Sequence, residues 1–155
     1  MDETGIFKNL FTVIKGLYMF FDGKEYSQMF LKNNYKLKIK MDAQQFDELI
    51  VYTGIGADEN NFLAQSAAQD KRYNYDALIL MNKEDFSKSL SVKKSRNLMT
   101  LDQKKLDINF VILQKKNIEN SALDLNQYYL ESFKTKKSNG LLPPSLKYDN
   151  YKDGN

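Results

Sequence analysis

Seven residues from Tyr35 to Met41 (Tyr-Lys-Leu-Lys-Ile-Lys-Met) alternate without a break between apolar side chains and lysines. A period of two sets Tyr35, Leu37, Ile39 and Met41 on one face of a strand and Lys36, Lys38 and Lys40 on the other. Whatever this chain folds into must therefore hold a half-buried strand with a basic outer face. That face has two readings. Lysine along an exposed strand discourages edge pairing, and a row of lysines is also a ridge that contacts phosphates.

The pattern around this strand is mixed. Thr4 suits the N-cap of a run in which Ile6, Leu10, Val13, Leu17 and Phe20 share a helical stripe, and Asp22-Gly23 ends it. Glu25–Leu31 reads as a second, shorter helix. Glu48–Thr53 predicts a buried strand ended by Gly54-Ile55-Gly56. Phe62–Asp70 and Tyr75–Met81 predict short helices, with a strand over Ala77–Met81 as the alternative. Glu84–Leu90 predicts a weak helix, Ser91–Lys105 a basic irregular connection, and Asp107–Leu113 a strand. Ser121 caps a helix expected over Ala122–Phe133. The expected fold is α+β, one domain over residues 1–134 with helices over 5–33 at its N-terminal end. From 135 to 155 the chain turns to Lys, Ser, Asn and Pro143-Pro144, a polar tail or linker.

Composition narrows the chemistry. The chain has 155 residues with no cysteine and no histidine. Disulfides, thiolate nucleophiles, histidine zinc sites and Ser-His-Asp triads are thereby excluded. A carboxylate-and-lysine metal site would draw on Asp107 with Gln114-Lys115-Lys116, where Gln in a ligand position and a single aspartate make a poor cage. No catalytic residue, metal or cofactor is expected. Gly54-Ile55-Gly56 lacks the further glycine and lysine of a phosphate-cradling loop. Net charge is only +3, but it is unevenly spread. Met41–Asp70 carries six acidic residues and no basic one, whereas Lys93–Lys116 carries seven basic residues against Asp102 and Asp107. Asp2 and Glu3 stand where an export signal needs positive charge. Leu10–Phe21, interrupted by Lys15, falls short of the ~20 residues of a membrane span. The expectation is a cytoplasmic protein with no membrane partner.

One stretch has a family look. Leu49-Ile50-Val51-Tyr52-Thr53-Gly54-Ile55-Gly56 is followed by Gln69-Asp70 and then by Asn74-Tyr75-Asp76-Ala77-Leu78. This order resembles the SRA (YDG) domain, a PUA-like module that reads modified cytosine in DNA. The likeness centres on Lys36–Met81 and places an SRA-like segment at about 36–114. Gln69-Asp70 inverts the family's Asp-Gln order, and the family's Gly-Val-His segment has no counterpart here.

The resemblance implies a small curved PUA/SRA-like β-sheet or partial barrel flanked by helices. It also implies base flipping, in which an extruded base is stacked on an aromatic ring and read along its edge. Carried onto this sequence, Tyr52 stacks on the base while Thr53 and Gly54 line the pocket. Asp42 (first) or Asp47 (second) accepts from the cytosine amino group, and Met41 or Phe46 stands in for the partner aromatic. Lys36, Lys38, Lys40, Lys93, Lys94 and Arg96 are the candidates for the DNA backbone. The implied partners are double-stranded DNA with modified cytosine and a nuclease or motor domain or subunit of a restriction system. The alternative, from another class, is a small phage or mobile-element factor that binds and inhibits a host protein through its apolar N-terminal helix.

Overall fold

In a computed structural model of the chain, the structure describes residues 9–10, 12–21, 23–41, 50–102 and 105–139. Among the described residues there are four strands and, after them, four helices. Strands β1 (Gly16–Phe21) and β2 (Tyr26–Leu31) form an antiparallel hairpin, with Phe21 opposite Tyr26 and Gly16 opposite Leu31. These segments were expected as helices over 5–33, and the difference has a local cause. Asp22-Gly23 lies between two aromatic-rich runs, the strongest short-range hairpin signal, and Gly23 takes a φ of +107°. A run apolar at nearly every position fits a helical stripe and a strand face alike, so its period does not decide between them. Turn chemistry and the strand preference of Tyr and Phe do.

The alternating segment is a strand, as its period requires. β3 (Lys36–Lys40) pairs antiparallel with β4 (Val51–Ile55), Lys36 facing Ile55 and Lys40 facing Val51. β4 runs past Gly54, and of its five residues only Tyr52 is buried, so it is half-exposed where a buried strand was expected.

Helix α1 (Ala57–Lys71) begins five residues earlier than the expected Phe62. α2 (Tyr75–Ile79) is helical, as the first of its two readings had it, and Asn74 caps it by accepting from the Ala77 N–H at 2.9 Å. The expected weak helix and irregular connection are together one helix, α3 (Lys83–Asp102). Asn82 starts it, its Oδ1 accepting from the Asp85 N–H at 2.9 Å and its Nδ2 donating to the Asp85 carboxylate at 2.7 Å. No glycine or proline interrupts the run to Asp102.

The strand expected at Asp107–Leu113 is instead the start of the long helix α4 (Ile108–Ser138). Asp107 caps it, its Oδ1 accepting from the N–H groups of Asn109 and Phe110 at 2.9 and 3.4 Å. Ser121, expected as a cap, lies inside this helix, which also continues past Lys134 where a tail was expected. The tail beyond Asn139 lies outside the described residues. The α+β class therefore holds, and among the described residues the strands precede the helices. No described helix is long and apolar enough to cross a membrane.

The chain divides into two compact units. The first takes the described residues of Met1–Arg72 and Gln103–Ile112, and the second those of Tyr73–Asp102 and Leu113–Asn155. In the first, the two hairpins form separate two-stranded sheets. Met29, Ile50, Tyr52 and Ala64 make one core cluster, flanked by Phe20, Leu37 and Ile39. Phe30 meets Phe110 edge-on at 5.1 Å, and Phe110 meets Phe62 at 5.8 Å. In the second unit, Leu78, Phe86 and Tyr129 form the core, with the Phe86 and Tyr129 rings stacked at 3.8 Å. The Tyr129 hydroxyl donates to the Met81 carbonyl at 3.0 Å.

Candidate nucleic-acid interface

Pairing in the second hairpin sets the geometry of the basic face. Residues directly opposite in an antiparallel pair project to the same side. Lys36, Lys38 and Lys40 thus share an exposed face with Ile55, Thr53 and Val51. The lysines recur every second residue, about 6.8 Å apart along the strand, a repeat similar to that of successive phosphates on one nucleic-acid strand. Cross-strand ion pairs would be the ordinary way to offset three like charges in a row. Here the positions opposite are two β-branched apolar residues and a threonine, and none of the ion pairs of the described residues involves these lysines.

The inner face holds Tyr52, which is 1% exposed and packed with Met29, Ile50 and Ala64. Its hydroxyl lies 3.3 Å from Ser27 Oγ, and burial raises its pKa while that hydrogen bond pulls the other way. Its peptide is held from α1, where Asn61 accepts from the Tyr52 N–H at 2.9 Å and donates to the Tyr52 carbonyl at 2.8 Å. Consecutive strand residues point to opposite faces. Tyr52 and Thr53, expected to line one pocket, are thereby separated: Thr53 lies among the lysines and Tyr52 lies in the core. A base reaches this ring only if the core around it opens. Asp42, Asp47 and Phe46 lie outside the described residues, and Met41 is partly exposed at the end of β3.

The two glycines of the Tyr-Thr-Gly-Ile-Gly run have structural work of their own. Gly54 has a φ of +97° and faces the Lys36 carbonyl so closely that any Cβ would collide with it. Gly56, at +94°, precedes α1 and lies against the Tyr35 ring, which fills the space of a Cβ.

Asparagine supplies what the motif did not foretell. Asn60 is wholly buried. Its Oδ1 accepts from the Phe30 N–H at 2.9 Å, and its Nδ2 donates to the carbonyls of Phe30 (3.0 Å) and Gly56 (2.8 Å). Two consecutive side-chain amides on α1 therefore take the place of a neighbouring strand, one for β2 and the next for β4. Beside them Lys32 Nζ donates to Asp107 at 2.7 Å, and the buried Glu59 accepts from the Asp107 N–H at 2.8 Å. The Lys32 contact is the main cause that lowers the Asp107 pKa to about 2, against the opposing effect of burial. Burial first, then the Glu59 and Asp107 charges, raise the pKa of Tyr35.

The remaining candidates lie in the second unit. Lys93, Lys94 and Arg96 are on α3. Lys93 is engaged by aromatic rings: its Nζ lies 4.0 Å from the Tyr73 ring centre and donates to the Tyr75 hydroxyl at 3.1 Å. Gln114 and Lys115, suggested beside Asp107 for a metal site, are on α4, with Gln114 buried and Lys115 paired to Asp102 at 2.9 Å. No known protein family, curated protein or solved structure matches this chain.

Proposed function

We propose that the chain is a nucleic-acid-binding module whose contact surface is the Lys36/Lys38/Lys40 face of the β3–β4 hairpin. The supporting observation is the placement of three lysines in one exposed row with no acidic residue opposite. The SRA-like order of residues supports DNA as the ligand and modified cytosine as the base to examine. On that reading β3–β4 belongs to the family's curved sheet, and a nuclease or motor domain or subunit acts on the DNA held here. Backbone contact by the lysines does not depend on Tyr52 leaving its core.

The test is a fluorescence-anisotropy titration of plain, methylated and hydroxymethylated duplexes at several salt concentrations. Changing Lys36, Lys38 and Lys40 together to Gln should weaken binding to all three alike. It should also flatten the slope of log K against log salt by about 0.9 for each phosphate no longer neutralised. An unchanged slope assigns the lysines to edge protection and overturns the proposal. A second reading, a protein-interaction factor, draws support from the β1–β2 hairpin. Met19, Phe21 and Tyr26 share one exposed face there, and the Phe21 and Tyr26 rings stack at 4.4 Å. Failure of every oligonucleotide to bind would favour it.

A further inference from the structure

The second unit carries an aromatic and basic cluster that the lysine face does not use. Tyr73 and Tyr75 meet edge to face at 5.2 Å, and Lys93 of α3 reaches both. The two contacts differ in kind. At 4.0 Å from the Tyr73 centre, the ammonium lies over that ring as a cation–π pair. At Tyr75 it is 3.1 Å from the hydroxyl oxygen but 5.1 Å from the ring centre, so it sits towards the hydroxyl end and not over the middle of the ring. Tyr75 is 39% exposed. α3 carries Lys83, Lys88, Lys93, Lys94 and Arg96 against Glu84, Asp85 and Asp102, its acidic residues confined to its two ends, while Asp76 stands beside Tyr75.

We propose that the Tyr75 ring, with Lys93 held at its hydroxyl edge, is a stacking platform for an unpaired base of a single-stranded nucleic acid, with the α3 cations meeting the adjoining phosphates. The proposal rests on the nucleic-acid reading above and extends it to a second site and to single strands. The chemistry is that of non-specific single-strand binders, in which a basic surface follows the backbone and aromatic faces take successive bases whatever their identity. A duplex offers no free base face, so this site selects strandedness, not sequence. Tyr73 holds Lys93 in place and is a positioning residue.

The test compares a labelled oligothymidylate with an abasic strand of the same length and charge. The wild-type chain should prefer the thymidylate. Tyr75→Leu, which keeps apolar bulk and loses the ring, should weaken thymidylate binding about tenfold to a hundredfold, leave abasic-strand binding unchanged and keep the salt slope. Tyr75→Phe should retain the preference, and melting temperatures measured alongside show that both variants fold. If wild type binds both strands equally, or Tyr75→Leu weakens both equally, the platform is overturned while the lysine face stands. If wild type binds neither these strands nor duplex, both proposals fall together.

Discussion

Each of the two units has its own chemistry of cohesion. In the first, polar side chains do the joining, and they do it across long stretches of sequence. Asn60 and Asn61 bond the backbones of β2 and β4, Lys32 reaches Asp107 75 residues away, and Glu59 holds the Asp107 peptide. In the second, polar bonds are mostly local: Asn74 and Asn82 cap the helices that follow them, and the packing is carried by Phe86 stacked on Tyr129. Small separate sheets have few ladder bonds of their own, and the buried backbone groups along their edges must find partners elsewhere. Helices satisfy their own backbones and ask only for apolar contact.

The largest effects should break this contrast directly. Asn60→Ala leaves the Phe30 N–H and carbonyl and the Gly56 carbonyl without their partner, at a cost of about 3–5 kcal/mol. Phe86→Ala should cost a similar ~3–5 kcal/mol through the cavity it leaves. Hydrogen exchange distinguishes them: the first variant should speed exchange in β2, at Phe30 above all, and spare α3, while the second should speed exchange in α3 and spare β2. Uniform loss of protection in both would mean that the units open as one cooperative body.

Gly56→Ala should cost less, about 1–3 kcal/mol, because it forces a left-handed backbone and displaces the Tyr35 ring. A thermal melt checks it, and a variant as stable as wild type would show that the ring can move aside.

Acid should bring the smallest change. Asp107 has a lower pKa folded than unfolded, so its contribution is full above about pH 4 and fades as pH falls to about 2. The loss should be on the order of 1–2 kcal/mol, read from urea midpoints at either end of that window. Asp107→Asn should abolish that part of the acid sensitivity. The exposed Lys115–Asp102 pair of the second unit should contribute far less.

How much of this was legible in the sequence depended on whether the signal was local. β3 was legible because half-burial writes its period into consecutive residues. The exposure of Lys36, Lys38 and Lys40 followed from that same period. The first hairpin was legible too, but in Asp22-Gly23 and not in the apolar stripe that suggested a helix. Asp107 wrote a helix start that the alternation of Ile108, Phe110 and Ile112 hid, since three residues fit either period. The opposite facing of Tyr52 and Thr53 follows from any strand through them, and shared motif membership obscured it. Asn60 and Asn61 had no such signature. An amide that bonds the backbone of a strand 30 residues away leaves no mark in its own neighbourhood.

The split of the first unit between Met1–Arg72 and Gln103–Ile112 also has a consequence for synthesis. A nascent chain that ends near Arg72 already contains both hairpins and α1. It has no Phe110 to cover Phe30 and Phe62, and Lys32 has no carboxylate to meet. Ribosomes add about 5–20 residues per second, so this interval lasts seconds. The unit closes once Ile112 has cleared the exit tunnel, while the second waits longer still, for Tyr129. Until then two of the largest apolar side chains of the first unit are open to chaperones and to other nascent chains.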